Sequence, residues 1–175
     1  LNIYLMKEKF VVLIPARGGS QRIPNKNVKK FAHSSLLEIK LLQAKRVLGN
    51  EAKVILNTDS EEYLKKYSSL YDIGILRPKN YGSSEIPMNE VYEYFADSLK
   101  NYEFIIYLNP TSPLLKDSSL KSIFEIYLSS GNKSITTVTS HQEYLWMNNK
   151  PLNYSPDYHP RSQDLPPFYT LNFAA

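Results

Sequence analysis

"FVVLIPARGGSQRIPNKN", residues 10–27, decides how the rest of the chain is read. Its first five residues, "FVVLI", form a short β-branched and apolar run of the kind that becomes a strand buried on both faces. A loop follows at once, with Arg17, Arg22 and Lys26, two glycines, Gly18 and Gly19, and no acid. Lys29 and Lys30 follow it, and no acidic residue occurs from Val11 to Leu36. Glycine amides beside several cations suit an anion, and Pro15 and Pro24 stiffen the segment that would receive it. The spacing fits neither G-x-x-x-x-G-K-[ST] nor G-x-G-x-x-G. A solvated basic turn therefore remains the alternative at this point.

Outward from that stretch, strand-like and helix-like segments alternate. "LLEIKLLQAKRVL" (36–48) sets Leu37, Leu41, Ala44 and Leu48 on one helical face, and Ser35 with Glu38 has capping-box spacing. "KVILN" (53–57) is a second strand, and Asp59 with Glu62 predicts a capped helix running to about Leu70. "IGIL" (73–76), "FIIYL" (104–108) and "SITTVT" (134–139) read as further strands. Val91, Phe95 and Leu99 mark one intervening helix; Leu120, Ile123, Phe124, Tyr127 and Leu128 mark another. This alternation predicts an α/β fold of three layers, helix–sheet–helix, with a mostly parallel sheet. Ligands of such sheets bind beyond the carboxyl ends of the strands. The loops at 15–30, 58–60, 77–88 and 109–116 are thereby singled out. After about Ser140 the repeat stops, and five prolines from Pro151 to Pro167 crowd an irregular segment rich in Tyr and Asn. "FYTLNFAA" (168–175) reads as a last strand.

Composition narrows the function classes. The 175 residues suffice for one core and suggest a single domain. The absence of cysteine excludes disulfides and thiolate chemistry within this sequence and accords with a cytoplasmic protein. A net charge of +4 suits an anionic small molecule and is too slight to argue for nucleic acid. No apolar run approaches the ~20 residues of a membrane span. "MKEKF" at Met6 reads as a natural start, with residues 1–5 as an upstream piece, and the end at Ala175 reads as a truncation. His33, His141 and His159 lack metal-ligand spacing.

"IPARGGSQRIPNKN" closely resembles the first motif of the acylneuraminate cytidylyltransferases, which include CMP-sialic acid synthetases and their legionaminate and pseudaminate relatives. "LNTDSEEY" (56–63), "ILRPKNYGSSE" (75–85), "LNPTSPLL" (108–115) and "RSQDLPPFYTLNFAA" (161–175) resemble further family stretches in the expected order. The resemblance implies a Rossmann-like nucleotide-diphospho-sugar transferase fold. It also implies a nucleotidyltransferase that couples CTP to an acidic nine-carbon sugar and releases pyrophosphate. On that basis Ala16, Arg17, Gly18, Ser20, Gln21, Arg22, Lys26, Asn27 and Arg77 are expected at CTP, with Arg17 and Lys26 catalytic. Asn109, Pro110, Thr111, Ser112, Arg161 and Gln163 are expected at the sugar. Asp59 matches a family aspartate, but its capping-box spacing accounts for it. The resemblance implies Mg²⁺ held by a paired-aspartate segment beyond Ala175, with no metal ligand inside this sequence. It also implies a homodimer joined through an arm at 141–160.

Gln21, Ser84, Asn109, Ser162 and Phe173 depart from the family pattern, where Lys, Asp, Gln, Arg and Gly are usual. Two alternatives follow. Gln21, Ser162 and the lack of metal carboxylates would suit a non-catalytic nucleotide-binding homologue. Asn109 would suit a sugar nucleotidyltransferase of other NTP specificity.

Overall fold

The structure is a computed structural model that describes residues 8–20, 22–172 and 174. These residues gather into two compact units, the larger reaching to Ser134 and the smaller beginning at Ile135.

The larger unit is built on β1 (Phe10–Pro15), the strand of the opening stretch. A small antiparallel pair, β2 (Lys30–Phe31) and β3 (Ser34–Ser35), leads into α1 (Leu36–Leu48). β4 (Lys53–Thr58), α2 (Glu61–Lys66), β5 (Ile73–Leu76), α3 (Met88–Ser98), β6 (Phe104–Tyr107) and α4 (Asp117–Ser130) follow. The four long strands form one parallel sheet in the order β5-β4-β1-β6. From β1 the chain moves outward through β4 to β5, then returns to the other side of β1 as β6. The direction of travel across the sheet thus reverses between β1 and β6, and in such sheets ligands bind beyond the carboxyl ends of the strands at that point.

Strand alternation sorts the core into two layers. Phe10, Val12, Ile14, Val54 and Leu56 face α1, α2 and α4, meeting Leu37, Leu41, Ala44, Tyr63, Leu120 and Phe124. Val11, Leu13 and Ile55 face α3, meeting Val91, Phe95 and Leu99. β1 is buried on both faces, as its continuous apolar run predicts. Both helical periodicities at 36–48 and 91–99 thus mark true core faces. On α4, however, Leu120 and Phe124 are buried while Leu128 is exposed, so its apolar stripe is wider than its contact.

Two helix starts differ in detail from the sequence pattern. The Ser35 hydroxyl accepts the Glu38 N–H, but the Glu38 carboxylate takes the Ser34 hydroxyl at 2.7 Å. At α2 the cap is Ser60, whose hydroxyl accepts the Tyr63 N–H, and not Asp59. Helix α2 also stops at Lys66, short of the predicted Leu70.

The smaller unit corrects the reading of "SITTVT" as a strand of the main sheet. β7 (Val138–His141) is antiparallel to β10 (Phe168–Leu171), with Leu171 beside Val138 and Phe168 beside His141. Local β propensity identified a strand here but could not name its partner. Between them, β8 (Trp146–Met147) and β9 (Lys150–Pro151) form a hairpin whose turn uses Asn148 and Asn149, both at positive φ.

Candidate functional site

A cavity of about 390 Å³ opens where β1 and β6 end, within the usual range for small-molecule sites. Pro15, Arg17, Lys26 and Asn27 line it from the loop after β1; Asn109, Pro110 and Thr111 line it from the loop after β6. Arg77, Tyr81, Ser83 and Ser84 contribute from the connection between β5 and α3, and Phe95 and Tyr107 from α3 and β6.

The loop after β1 is fixed by its backbone. Ala16 is buried and donates its N–H to the Asn57 carbonyl at 2.9 Å. The buried Asn27 side-chain amide donates to the Arg17 carbonyl at 3.0 Å, and the Asn27 backbone carbonyl accepts the Leu37 N–H at 2.9 Å. Neither Gly18 nor Gly19 has a positive φ; the left-handed residue is Asn25, at φ 54°, whose carbonyl takes the Val28 and Lys29 amides. The glycines therefore serve space and not backbone handedness. Among the described residues, a Cβ at Gly19 would meet nothing within 4 Å, leaving its backbone open to close approach.

Asp59 has a larger part than its sequence spacing suggests. Its Oδ1 accepts the Gly18 N–H at 2.7 Å, so this amide is already engaged. A Cβ on Gly82 would collide with the same carboxylate, which ties the β1 loop closely to the segment after β5. Arg17 joins the same two segments by donating from Nη1 to the Gly82 carbonyl at 3.3 Å. Tyr81 steadies that segment by stacking on Tyr94 with ring centroids 4.5 Å apart.

Arg77 is the most confined cation of the cavity. It is 5% exposed, its guanidinium lies 5.7 Å from the Phe95 ring centroid, and its Nε has no hydrogen-bond partner among the described residues. Burial lowers its pKa and the Asp59 carboxylate opposes that fall, so the group stays charged at neutral pH. A buried, charged donor with a vacant N–H in a cavity wall is poised for an acceptor on a ligand. Tyr107 is pushed up to about 12, chiefly by burial, and remains a neutral phenol.

Of the residues expected at a nucleotide, Arg17, Lys26, Asn27 and Arg77 share this cavity. Ala16 and Gly18 engage their amides with Asn57 and Asp59 at the end of β4, and Ser20, whose N–H meets the Gly18 carbonyl at 3.2 Å, and the exposed Arg22 are not among the lining residues. Gln21 and Phe173 lie outside the described residues. Asn109, Pro110 and Thr111 line the same cavity, whereas Ser112 turns its carbonyl to Lys40 at 2.9 Å. Arg161 and Gln163 belong to the second unit. There Arg161 pairs with Asp164 at 2.7 Å, and the Gln163 carbonyl accepts from Gln142 at 3.4 Å. Phe95, Tyr107 and Tyr81 also line the site, although no motif in the sequence marks them. Their spacing signals packing, and only the sheet topology shows that they pack at a strand end.

Among the described residues, no group of three or more His, Cys, Asp or Glu side chains could hold a metal ion. The carboxylate nearest the β1 loop, Asp59, already accepts an amide proton. The chemistry assigned below belongs to the protein's own side chains.

Residues 11–158 match the family described as Cytidylyltransferase. The pseudaminic acid cytidylyltransferase of Campylobacter jejuni subsp. jejuni serotype O:2 is 30% identical over 175 residues, covering 92% of this chain and 74% of that protein. The N-acylneuraminate cytidylyltransferase of Escherichia coli O18:K1:H7 is 30% identical over 122 residues, covering 70% of this chain and 29% of that protein. Among solved structures, a CMP:2-keto-3-deoxy-manno-octonic acid synthetase complexed with CTP superposes with a TM-score of 0.55. That match has 19% identity and covers 76% of this chain and 52% of the other, so it speaks for the fold alone. The sequence match over most of its length, together with the parallel sheet and its strand-end cavity, shows that this chain belongs to the cytidylyltransferase family.

Proposed function

We propose that this protein transfers the cytidylyl group of CTP to an acidic nine-carbon sugar, of the sialic or pseudaminic acid kind, in the cavity at the ends of β1 and β6. The observation that carries the reading is the make-up of that cavity: cations of the β1 loop, a buried arginine with a vacant donor, and an uncharged loop at 109–111. In the reaction the sugar's anomeric hydroxyl attacks the α-phosphate. A new O–P bond forms, the bond from Pα to the bridging oxygen breaks, the hydroxyl proton passes to solvent, and pyrophosphate leaves. Arg17 and Lys26 offset the charge that builds on the leaving group. Arg77 donates to the nucleotide, and the 109–112 loop receives the sugar. Mg²⁺ is part of this proposal as a counter-charge for the triphosphate, held by ligands outside the described residues.

Calorimetric titration with CTP, UTP, GTP and ATP tests the nucleotide assignment. Preference for CTP is the expected result; equal binding of all four would sink it.

The homodimer is proposed on the 141–160 arm. Trp146 and Met147 are 60% and 57% exposed side by side on the β8–β9 hairpin, an apolar pair that a second copy of the chain would cover. Sedimentation equilibrium should find a dimer; monomer alone at high concentration would refute it. A cytoplasmic site of action accords with the cysteine-free sequence, and no helix among the described residues is long and apolar enough to cross a membrane.

A further inference from the structure

The middle of α1 contains a lysine where its stripe of leucines predicts an apolar residue. Lys40 is 0% exposed. Its Nζ donates to the Ser112 carbonyl at 2.9 Å and to Gln43 Oε1 at 2.7 Å. Gln43, one turn on, donates from Nε2 to the Leu115 carbonyl at 2.6 Å and to Asp117 Oδ1 at 3.0 Å. Arg46, one turn further, pairs with the Asp117 carboxylate through Nε at 2.6 Å and Nη2 at 3.0 Å. Residues at i, i+3 and i+6 of one helix thus hold three successive points of the segment that follows β6.

Ser112 is the pivot of that segment. Its N–H meets the Asn109 carbonyl at 3.3 Å, and its own carbonyl accepts the Leu115 N–H at 3.3 Å as well as the Lys40 ammonium. Two consecutive turns therefore share this residue, and the first of them carries Asn109, Pro110 and Thr111 into the cavity. An apolar side chain at position 40 would fill the space but could not hold the pivot carbonyl. Burying an ammonium costs more than burying a leucine, so its presence calls for a directional role.

We propose that Lys40 is a positioning residue for the acceptor end of the cavity: through the Ser112 carbonyl it fixes the 109–111 backbone against which the acidic sugar binds. The inference rests on the sugar assignment made above. The charge acting on Lys40 from α4 is Asp117, whose oxygens are shared with Gln43 and Arg46; the loop faces it with the Ser112 carbonyl. Burial draws the lysine down to about 8 against the pull of Asp117, so its charge is lost in mildly alkaline solution.

The test compares full-length wild type with Lys40→Met in two readouts. Amide hydrogen exchange should quicken on the order of tenfold at Ser112 and Leu115, with β1 and α3 unchanged. Steady-state kinetics should show KM for the acidic sugar raised about tenfold with KM for CTP changed less than twofold. The wild-type sugar KM should also climb above pH about 8, with that limb missing in the variant. Unaltered exchange at 109–115, or equal changes in both KM values, overturns the proposal. Quickened exchange in a protein that uses no acidic sugar would instead uphold the positioning of the loop and reject the sugar assignment. Should Lys40→Met fail to fold, Lys40→Gln, which keeps a neutral donor, takes its place; the wild-type pH limb needs no variant, and its absence counts against the proposal.

Discussion

Residues 16–29 and residues 109–116 leave the sheet at neighbouring strands, yet the charges that govern them sit on different sides. The first loop carries Arg17 and Lys26 on the cavity wall and is anchored by Asp59, Asn27 and backbone bonds. The second presents no charge at 109–111, and its charged anchors, Lys40 and the Arg46–Asp117 pair, grip it from α1. A loop that receives a triphosphate needs cations in the site. On the proposed reading, a loop that receives a hydroxylated sugar needs a fixed backbone and a neutral face, and here the cation that supports it lies behind the loop. One α/β switch point can thus offer two chemically different halves to two different reactants.

The largest expected effect falls on Arg77, which joins neither loop but shares their cavity. Arg77→Ala removes a buried, charged donor and should weaken CTP binding by about 10- to 100-fold, the equivalent of ~1.5–3 kcal/mol. Calorimetry with CTP checks this, and an unchanged affinity would detach Arg77 from the nucleotide. Next comes Gly82→Ala. Its new Cβ would press on the Asp59 carboxylate that holds Gly18, so a loss of about 1–3 kcal/mol in denaturant unfolding is expected. No loss would mean that the β1 loop is not held from that side.

The cavity face of the first loop is tested by a pair of lysines. Lys26 lines the cavity and Lys29 is exposed. Lys26→Ala should weaken CTP binding by about tenfold, and Lys29→Ala by less than about twofold. Equal effects would reduce the loop to diffuse charge. The smallest effect concerns the buried side of the second loop. Lys40 binds its proton less tightly folded, at about 8, than at its ordinary 10.5, so the unfolded chain holds more protons between those values. Stability should accordingly rise with pH through that window in wild type relative to Lys40→Met. Melting temperatures measured from pH 7 to 10.5 check the sign; a wild type that loses stability relative to the variant there would contradict it.

Much of this organisation was legible in the sequence because period and position carry it. The apolar run of β1, the leucine stripe of α1 and the strand-end rule point to four loops, of which those at 15–30, 77–88 and 109–116 line the cavity and that at 58–60 does not. Asp59 was read as a cap because Asp59 and Ser60 are adjacent acceptors, and spacing cannot tell which of two neighbours turns toward the helix. β7 was assigned to the main sheet because a strand's partner depends on contacts far away in sequence. Lys40 interrupts the apolar face of "LLEIKLL": three residues after Leu37 and four before Ala44, it falls on the buried side. That mismatch was the one sequence signal of the loop's anchor. Phe95 and Tyr107 gave no comparable signal, since core and cavity wall use the same residue types at the same spacing.

The central claim, cytidylyl transfer to an acidic sugar, is tested most directly by product formation. Full-length protein would be incubated with CTP, Mg²⁺ and a panel of sialic, legionaminic and pseudaminic acids, with pyrophosphate followed by a coupled assay and the CMP-sugar by mass spectrometry. Pyrophosphate and a CMP-sugar in equal amounts with at least one acid are expected, and both should fall in Lys26→Ala. A protein that binds CTP with unperturbed affinity but releases no pyrophosphate with any acid on the panel would contradict the claim.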